Sequence, residues 1–412
     1  MERKDTLKEL IQNCLAAFSS PDASPTIQSR SLIPFALTST RDARGDAVSL
    51  LVEKMVHSKL PHWSAYILAY DFVDIYAEKL HTGRDSFSDN QIIDASNWCK
   101  DLRECFAQYL KKIVDGSHKL PPLLDEWKAA LPVSFCCQKN RKPKMEDRHL
   151  ILPSLAVVEP NFSKVSHKNA NREDAFFAVF DGHNGAECAT YASAHLAECL
   201  FDSLEETSDD VEEVLSIAFE RLDKRITEKC TSEKIKSGTT VSCVYLKGTR
   251  TAFLAWCGDS SIGVLRNAGV ETLSIPHKPE DQEEMRRIEE AGGMVVSIHG
   301  VPRLNGVLNL SRSLGDIQAK PMVSSEPDIK RVELSAEDHA LFLATDGVWD
   351  SLEEEEIFEL CLEFLRSHPP EDFELLAEFI VNKAKSAGSS DNLTLICIFL
   401  RPINKVWAKF RN

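Results

Sequence analysis

Four short acidic segments lie far apart in the chain: Lys144-Met145-Glu146-Asp147, Asp181-Gly182-His183-Asn184-Gly185, Asp346-Gly347-Val348-Trp349-Asp350 and Ser390-Asp391-Asn392. Hard divalent cations such as Mg²⁺ and Mn²⁺ prefer oxygen ligands, so an aspartate-rich set with few His or Cys selects them over zinc. Such a set is what a two-metal centre for phosphate ester hydrolysis needs. The second and third segments each follow an apolar run, Ala175-Phe176-Phe177-Ala178-Val179-Phe180 and Ala340-Leu341-Phe342-Leu343-Ala344, that reads as a buried strand. An acid at the end of a buried strand is rigidly held.

Taken singly, each segment is ordinary turn chemistry, since Asp-Gly is a common tight-turn dipeptide. The ordered series is not. In chain order it continues through Ser237-Gly238-Thr239-Thr240, Cys257-Gly258-Asp259-Ser260, His277-Lys278-Pro279, Ala291-Gly292-Gly293, Leu310-Ser311-Arg312-Ser313-Leu314-Gly315-Asp316 and Asp391-Asn392-Leu393-Thr394. Over about residues 131 to 401 this series resembles the metal-dependent Ser/Thr protein phosphatase family, the phosphatase 2C class. The helical extension ahead of it, residues 144 to 149 and Phe177 to His183 are most similar to one branch. That branch contains the calmodulin-dependent-kinase phosphatases, the partner-of-PIX phosphatases and a nematode sex-determination phosphatase.

The resemblance implies a mechanism and a set of roles. A phosphomonoester dianion repels hydroxide, so a catalyst must supply positive charge and a nucleophile at neutral pH. Two Mg²⁺ or Mn²⁺ ions sharing a water would supply both. By the match, Asp181 bridges the ions, Asp346 and Asp391 complete one site, and Glu146 with the Gly182 carbonyl serves the other. Asp259, with Asp346, would hold a third, weaker ion, while Asp147, Asp350 and Asn392 orient ligands and bound water. His183 is the candidate for protonating the departing Ser or Thr alkoxide, a poor leaving group without an acid. Thr239 takes a supporting role near the metal water.

One departure from the family pattern concerns the phosphate grip. Relatives place an Arg four residues before the Glu of Met-Glu-Asp, where this chain has Lys142, with Arg141 one residue earlier. Lysine offers a cation but not the planar fork of arginine. Lys142 is expected to contribute more than Arg141. Asn184, where relatives often carry a small residue, suits a left-handed turn. Arg303 lies in the stretch that resembles the family's flap, either guiding phosphopeptides or standing as a loop cation, and Arg312 and Asp316 are expected to form a structural ion pair or network.

The elements that position these residues divide near residues 115 to 135. Apolar positions at helical spacing, Leu10, Ile11, Cys14, Leu15 and Phe18, then Val48, Leu51, Val52, Met55 and Val56, predict helices. Pro21, Pro25 and Pro34 separate the first two, Pro61 opens a third over about Trp63 to Lys79, and a fourth runs from about Asp89 to Val114. The expected domains are an all-helical docking or regulatory region over 1–115, a connector over 116–130 with a short helix at Leu123 to Ala130, a catalytic domain over 131–401 and a tail over 402–412.

After Pro132, strands are expected at His149 to Leu152, Ala175 to Phe180, Thr239 to Leu246, Thr251 to Cys257, Ser261 to Arg266, Ala340 to Thr345 and Leu393 to Leu400. Helices are expected at Gly185 to Ser203, Asp209 to Glu233, Pro279 to Ala291, Glu353 to Arg366 and Pro370 to Ala387. Back-to-back strands with tight connections are antiparallel hairpins, which makes the fold class α+β. The resemblance sharpens this to an α-β-β-α sandwich with metals at one end. The Glu353 to Glu356 run reads as a helix entrance, with Ser351 and Glu354 at capping-box spacing.

Composition is ordinary for a globular chain of 412 residues, with 43% hydrophobic and 27% charged residues. Net charge of −16 argues against nucleic acid or anionic membrane as principal partner. No apolar run reaches membrane-spanning length and no signal-peptide core follows Met1, which predicts a cytoplasmic or nuclear protein. The 12 Cys residues show no Cys-x-x-Cys pair and are expected to be reduced, packed thiols. No Cys is followed by Arg six positions on, which excludes thiolate phosphatase chemistry. The resemblance implies phosphoprotein substrates, phosphorylated protein kinases among them, and a protein partner docked through residues 1–115. The competing reading is a phosphatase-fold scaffold that works by binding through residues 1–115, where Trp63, Tyr66, Tyr70 and Phe72 would form an exposed aromatic docking face, although residues at such helical spacing are more often core.

Overall fold

The computed structural model describes residues 2–19, 37–83, 91–121, 124, 131–157, 174–207 and 210–411. The chain forms two compact units: residues 1–129 with 154–168, and residues 130–153 with 169–412.

The smaller unit is built on α1 (Glu2–Ser19), α2 (Ala43–His57), α3 (His62–Ile75) and α4 (Ala95–Val114). Pro61 stands just before α3, and the Asp94 side chain caps α4 by accepting from the Asn97 amide at 2.9 Å. Phe106 of α4 meets Phe18 of α1 and Phe72 of α3 edge-on, with ring centroids 4.8 and 5.0 Å apart. The region is not wholly helical. β1 (Leu37–Ser39) pairs with β2 (Ile92–Asp94) in a short antiparallel ribbon, in the stretch where the fourth helix was expected to have started. A strand of three residues carries too little periodicity to be read from sequence. Tyr66, Tyr70 and Phe72 are buried and Trp63 is half-buried, so these residues are core, the more common outcome for such spacing, and α3 presents no exposed aromatic face. The prolines at 21, 25 and 34 and the connector helix, apart from Leu124, lie outside the described residues.

The larger unit is an α-β-β-α sandwich. One sheet has the order β11-β10-β16-β17-β3 and the other β15-β9-β8-β5-β4, all antiparallel. The strands of the first are β3 (Val133–Gln138), β10 (Ser261–Arg266), β11 (Gly269–Thr272), β16 (Ala340–Ala344) and β17 (Leu393–Phe399). Those of the second are β4 (Arg148–Leu152), β5 (Ala175–Phe180), β8 (Val241–Lys247), β9 (Thr251–Cys257) and β15 (Asp328–Glu333). Alternation decides which side chain faces which layer. Leu341 and Leu343 of β16 meet Phe177 and Val179 of β5 between the sheets, whereas Phe342 and Ala344 face the helices. Each fully buried Phe or Leu in these layers is worth about 1.5–3 kcal/mol.

The outer layers are α5 (Glu187–Glu206) with α6 (Val211–Glu233) on one side, and α8 (Glu354–Ser367) with α9 (Leu376–Ser386) on the other; α7 (Gln282–Glu290) lies between β11 and the hairpin β12 (Val295–Ile298) and β13 (Val301–Leu304) in sequence. The capping box of α8 is made by Glu353 and Glu356, not by Ser351, whose hydroxyl donates to the Gly347 carbonyl. The expected tail is also corrected: Ile403–Phe410 is a helix, α10, that buries Val406, Trp407 and Phe410 in the core of this unit. All 12 cysteines are free thiols, as expected.

Candidate active site

Strand register brings the four acidic segments to one end of the sandwich. Arg148 pairs with Phe180, so Glu146 and Asp147 precede β4 where Asp181 follows β5. Ala344 pairs with Leu395, so Asp346 follows β16 where Asp391 and Asn392 precede β17. Ser261 pairs with Ala344 and Cys257 with Val241, so the β9–β10 turn, which carries Asp259, reaches that end from both sheets.

Hydrogen bonds then lock the segments. The Asn392 side chain accepts from the Glu146 amide at 2.7 Å and donates to the Lys139 and Lys144 carbonyls at 2.8 and 3.0 Å, which pins residues 139–146 against β17. Asp147 is buried and accepts from the Thr394 and Thr345 hydroxyls at 2.7 and 3.0 Å. A Cβ added at Gly182 would lie 2.5 Å from the Glu146 carbonyl oxygen, and one at Gly347 would lie 2.1 Å from the Asn392 carbonyl oxygen. Only glycine allows the backbones that carry these acids to approach so closely.

The result is a cluster of carboxyl groups that resist ionisation together. Burial, then the charges of Asp346, Asp147 and Asp259, hold Asp181 well above the ordinary carboxylate range. Asp346 is raised to about 7 by burial and by Asp259 and Asp391, with a hydrogen bond to Asp181 opposing. Asp147 is also raised to about 7, mainly by burial, although its two threonine donors oppose the shift. Asp350, exposed at the end of the short helical turn that begins at Asp346, is raised by partial burial of its carboxyl and by Asp259 and Asp391 against the pull of Lys278. Two lysines answer the charge. Lys142 Nζ lies 2.8 Å from Asp391 Oδ1, and Lys278 Nζ lies 2.5 Å from Asp259 Oδ2. Burial works to lower both ammonium groups, yet the acids around them outweigh it and both are raised.

Among the described residues, no three His, Cys, Asp or Glu side chains converge as they stand in the arrangement of a preformed metal cage. Asp181 and Asp346 bond to each other, and Asp391 and Asp259 to lysines. The donor chemistry nonetheless fits a hard divalent cation: the groups are oxygens alone, their like charges repel, and the lack of a side chain at Gly182 lets its backbone pack against the Glu146 carbonyl.

His183 and Thr239 sit on a three-stranded ribbon of two-residue strands, β6 (Gly182–His183), β7 (Gly238–Thr239) and β14 (Leu314–Gly315). His183 Nε2 lies 2.6 Å from Asp316 Oδ2. Arg312 and Asp316 therefore do not pair; Arg312 joins a structural network instead, binding Glu284 at 2.5 Å and Asp328 at 2.8 Å. The Thr239 hydroxyl donates to the Thr240 carbonyl at 2.9 Å, and it is Thr240 that exchanges backbone and hydroxyl hydrogen bonds with Asp181. Asn184 adopts φ +57°, the left-handed turn expected of it. Arg141 is exposed while Lys142 joins the cluster, and Arg303 in the β12–β13 hairpin donates to the Val307 carbonyl at 2.6 Å. Three residues escaped the sequence reading of the site: Asp316, Lys278 and Thr240. Each stood in a quoted motif, but only folding shows what it touches.

The protein phosphatase 2C family profile matches residues 131–393. Protein phosphatase fem-2 of Caenorhabditis elegans is 33% identical over 374 residues, 89% of this chain and 81% of that protein. Protein phosphatase 1E of Mus musculus is 36% identical over 267 residues, 65% of this chain; the match spans only 34% of that longer protein. Among solved structures, one described as that of a C. elegans sex determining protein superposes with a TM-score of 0.81 at 30% identity, covering 97% of each chain.

Proposed function

The chain belongs to the protein phosphatase 2C family and is by that membership a protein serine/threonine phosphatase; we propose that it hydrolyses phosphoserine and phosphothreonine with Mg²⁺ or Mn²⁺ held by Asp181, Asp346, Asp391, Glu146 and the Gly182 carbonyl. The observation that carries this reading is the elevation of both Asp181 and Asp346 by burial among neighbouring carboxylates, Asp259 among them. Crowding carboxyl groups in this way is unfavourable unless positive charge is brought to them. Two ions per site are proposed, with Asp259 contributing to a third. When bound, they neutralise the phosphate dianion and make a water acidic enough to supply a nucleophile near neutral pH.

The chain's own residues do the rest. Lys142, aligned by Asp391, grips a phosphate oxygen, with Arg141 outside it. His183 delivers a proton to the departing Ser or Thr oxygen, without which that alkoxide is a poor leaving group. Asn392 and Asp147 hold the Glu146 segment in register with β17 through the bonds described above. Thr239 acts by joining β6 to β14, and Arg303, tied to its own loop, serves as a flap cation.

The branch resemblance supports phosphorylated protein kinases as substrates, in the cytoplasm or nucleus. No helix among the described residues is long and apolar enough to cross a membrane. Residues 1–115 are proposed to dock a partner protein: they lie outside the family match, while the likeness to fem-2 takes in 89% of this chain. The deciding experiment is turnover of p-nitrophenyl phosphate by the full chain with Mn²⁺, with chelator, and by Asp346→Asn. Turnover that needs the cation and the carboxylate supports the reading; metal-independent turnover, or none in the wild type, overturns it.

A further inference from the structure

Asp316 is nearly buried, lies outside the acidic cluster and touches the one histidine that the mechanism uses. The register of the small ribbon explains how. His183 pairs with Gly238, and Gly238 with Gly315, so the His183 ring and the Asp316 carboxylate reach each other over a glycine. A Cβ at Gly238 would fall 2.1 Å from Asp316 Oδ2 and 2.5 Å from His183 Nε2, directly into their contact.

The carboxylate is itself held from several sides. Ser313 Oγ donates to Oδ2 at 2.6 Å, and the Asp316 amide donates to the Ser237 carbonyl at 3.2 Å. Asp223 of α6 accepts from the Gly315 amide at 3.1 Å and pairs with Lys320. Asp316 adopts φ +43°, a left-handed conformation unfavourable for a residue with a side chain. A backbone strained and clamped in this way gives the carboxylate a fixed direction.

We propose that Asp316 is a positioning residue for His183: it accepts Nε2–H, fixes the ring, and leaves Nδ1 as the nitrogen that protonates the leaving group. This deepens the reading of His183 as general acid and rests on it. In the step, the oxygen of water bonds to phosphorus while the P–O bond to Ser or Thr breaks with its electron pair on oxygen. The proton on Nδ1 passes to that oxygen, and the proton lost by the attacking water goes to solvent. The ring keeps its hydrogen on Nε2, directed at Asp316 Oδ2. The role matches a carboxylate that selects a tautomer without taking the proton.

The test compares a phosphothreonine peptide, whose alkoxide needs an acid, with p-nitrophenyl phosphate, whose nitrophenolate needs it far less. In the full chain with Mg²⁺, Asp316→Asn should lower kcat for the peptide at least about tenfold more than for the nitrophenyl ester, with the loss in kcat rather than KM. Gly238→Ala should give the same split, and His183→Gln a larger one. If His183→Gln splits the substrates and Asp316→Asn does not, the Asp316 proposal is wrong while the general acid stands; if His183→Gln shows no split, the general-acid reading itself fails. A second measurement needs no variant to fold well except for assignment. The ¹⁵N spectrum of the Mg²⁺-loaded wild type, with His183 identified by its loss in His183→Gln, should show neutral His183 protonated on Nε2. A ring protonated on Nδ1 overturns the proposal.

Discussion

Glu284 and Asp346 are carboxylic acids of the same unit, each sunk among protein atoms, and burial pushes both toward the neutral form. They end on opposite sides of the ordinary range. Arg312, Ser311 and Arg287 outweigh burial at Glu284 and hold it down at about 2, whereas Asp346, faced by Asp259 and Asp391, rises to about 7. Neighbours decide the sign, and the sign separates two purposes. The Glu284 cluster is charge-balanced, with Arg287 and Arg312 also bonding the carbonyls of Ser311, Met322 and Glu326, so it fastens α7 to the loop ahead of β14. The Asp346 cluster is left in excess of negative charge, which costs folding energy and suits a cation.

The largest effect that can break this contrast is on turnover. Asp346→Asn should lower kcat for p-nitrophenyl phosphate by at least about 10³-fold, while Arg312→Ala measured at low temperature should keep a folded, active enzyme of lower stability. Removing Arg312 strands Glu284 beside a single remaining arginine, so a loss of about 3 kcal/mol is expected, read as a drop in the thermal unfolding midpoint. If the Arg312 change left the midpoint alone and Asp346→Asn lowered it in chelated protein, the division between a fastening cluster and a charge-strained one would be wrong.

The two clusters were unequally legible from the chain. Asp181 and Asp346 announce themselves because each ends a run that is apolar on both faces, as a strand covered by a sheet on one side and helices on the other must be. Glu284 has no such marker. Nothing local shows that its partner is Arg312, 28 residues away, or that Asp316 belongs to His183, 133 residues away. The ribbon that joins them has strands of two residues, too short for any period to be seen. β3 and β15 were missed for a related reason: Gln138, Asp328, Lys330, Arg331 and Glu333 break the apolar pattern on strands at the sheet edges, where residues are free to be polar, and the buried Ser134 breaks it to bond the start of α9. The α-β-β-α order came from the family resemblance, with the central strands and the edge strand β4 legible beside it, while the edge strands β3, β11 and β15 and the tertiary ion pairs required coordinates.

A smaller effect, of a few degrees, concerns pH in chelated protein. Asp346 is raised from 3.8 to about 7, so the folded state holds this proton more tightly than the unfolded chain does. Its unfavourable contribution is absent below about pH 4, grows as pH rises through the window to about 7, and is constant above. Glu284 has the opposite sign: its contribution is present above its unfolded value of 4.5 and is lost as pH falls toward 2. Asp346→Asn in chelator should therefore unfold at a higher temperature than wild type at pH 8, by roughly 2–4 °C for each kcal/mol recovered, with the gap closing as pH falls toward 5. Mn²⁺ should stabilise the wild type at pH 8 and close the same gap by mass action. A gap that is constant across this range would show that ionisation of Asp346 does not burden the fold.

The smallest effect tests the edge of the acidic cluster, where one cation is drawn in and its neighbour is not. Lys142 is aligned by Asp391 at 2.8 Å and feels Asp181 and Asp346, whereas Arg141 is exposed to solvent. An ammonium already oriented toward the centre loses little freedom in gripping a phosphate oxygen, while an exposed guanidinium must be ordered first. Lys142→Gln should weaken inhibition by inorganic phosphate about three- to tenfold, worth roughly 0.7–1.4 kcal/mol, and Arg141→Gln by less than about twofold. Lys142→Arg should restore part of the loss, because charge survives although the fork changes the reach. Phosphate inhibition weakened by the Arg141 change alone would place the grip outside the cluster and confine Lys142 to neutralising Asp391.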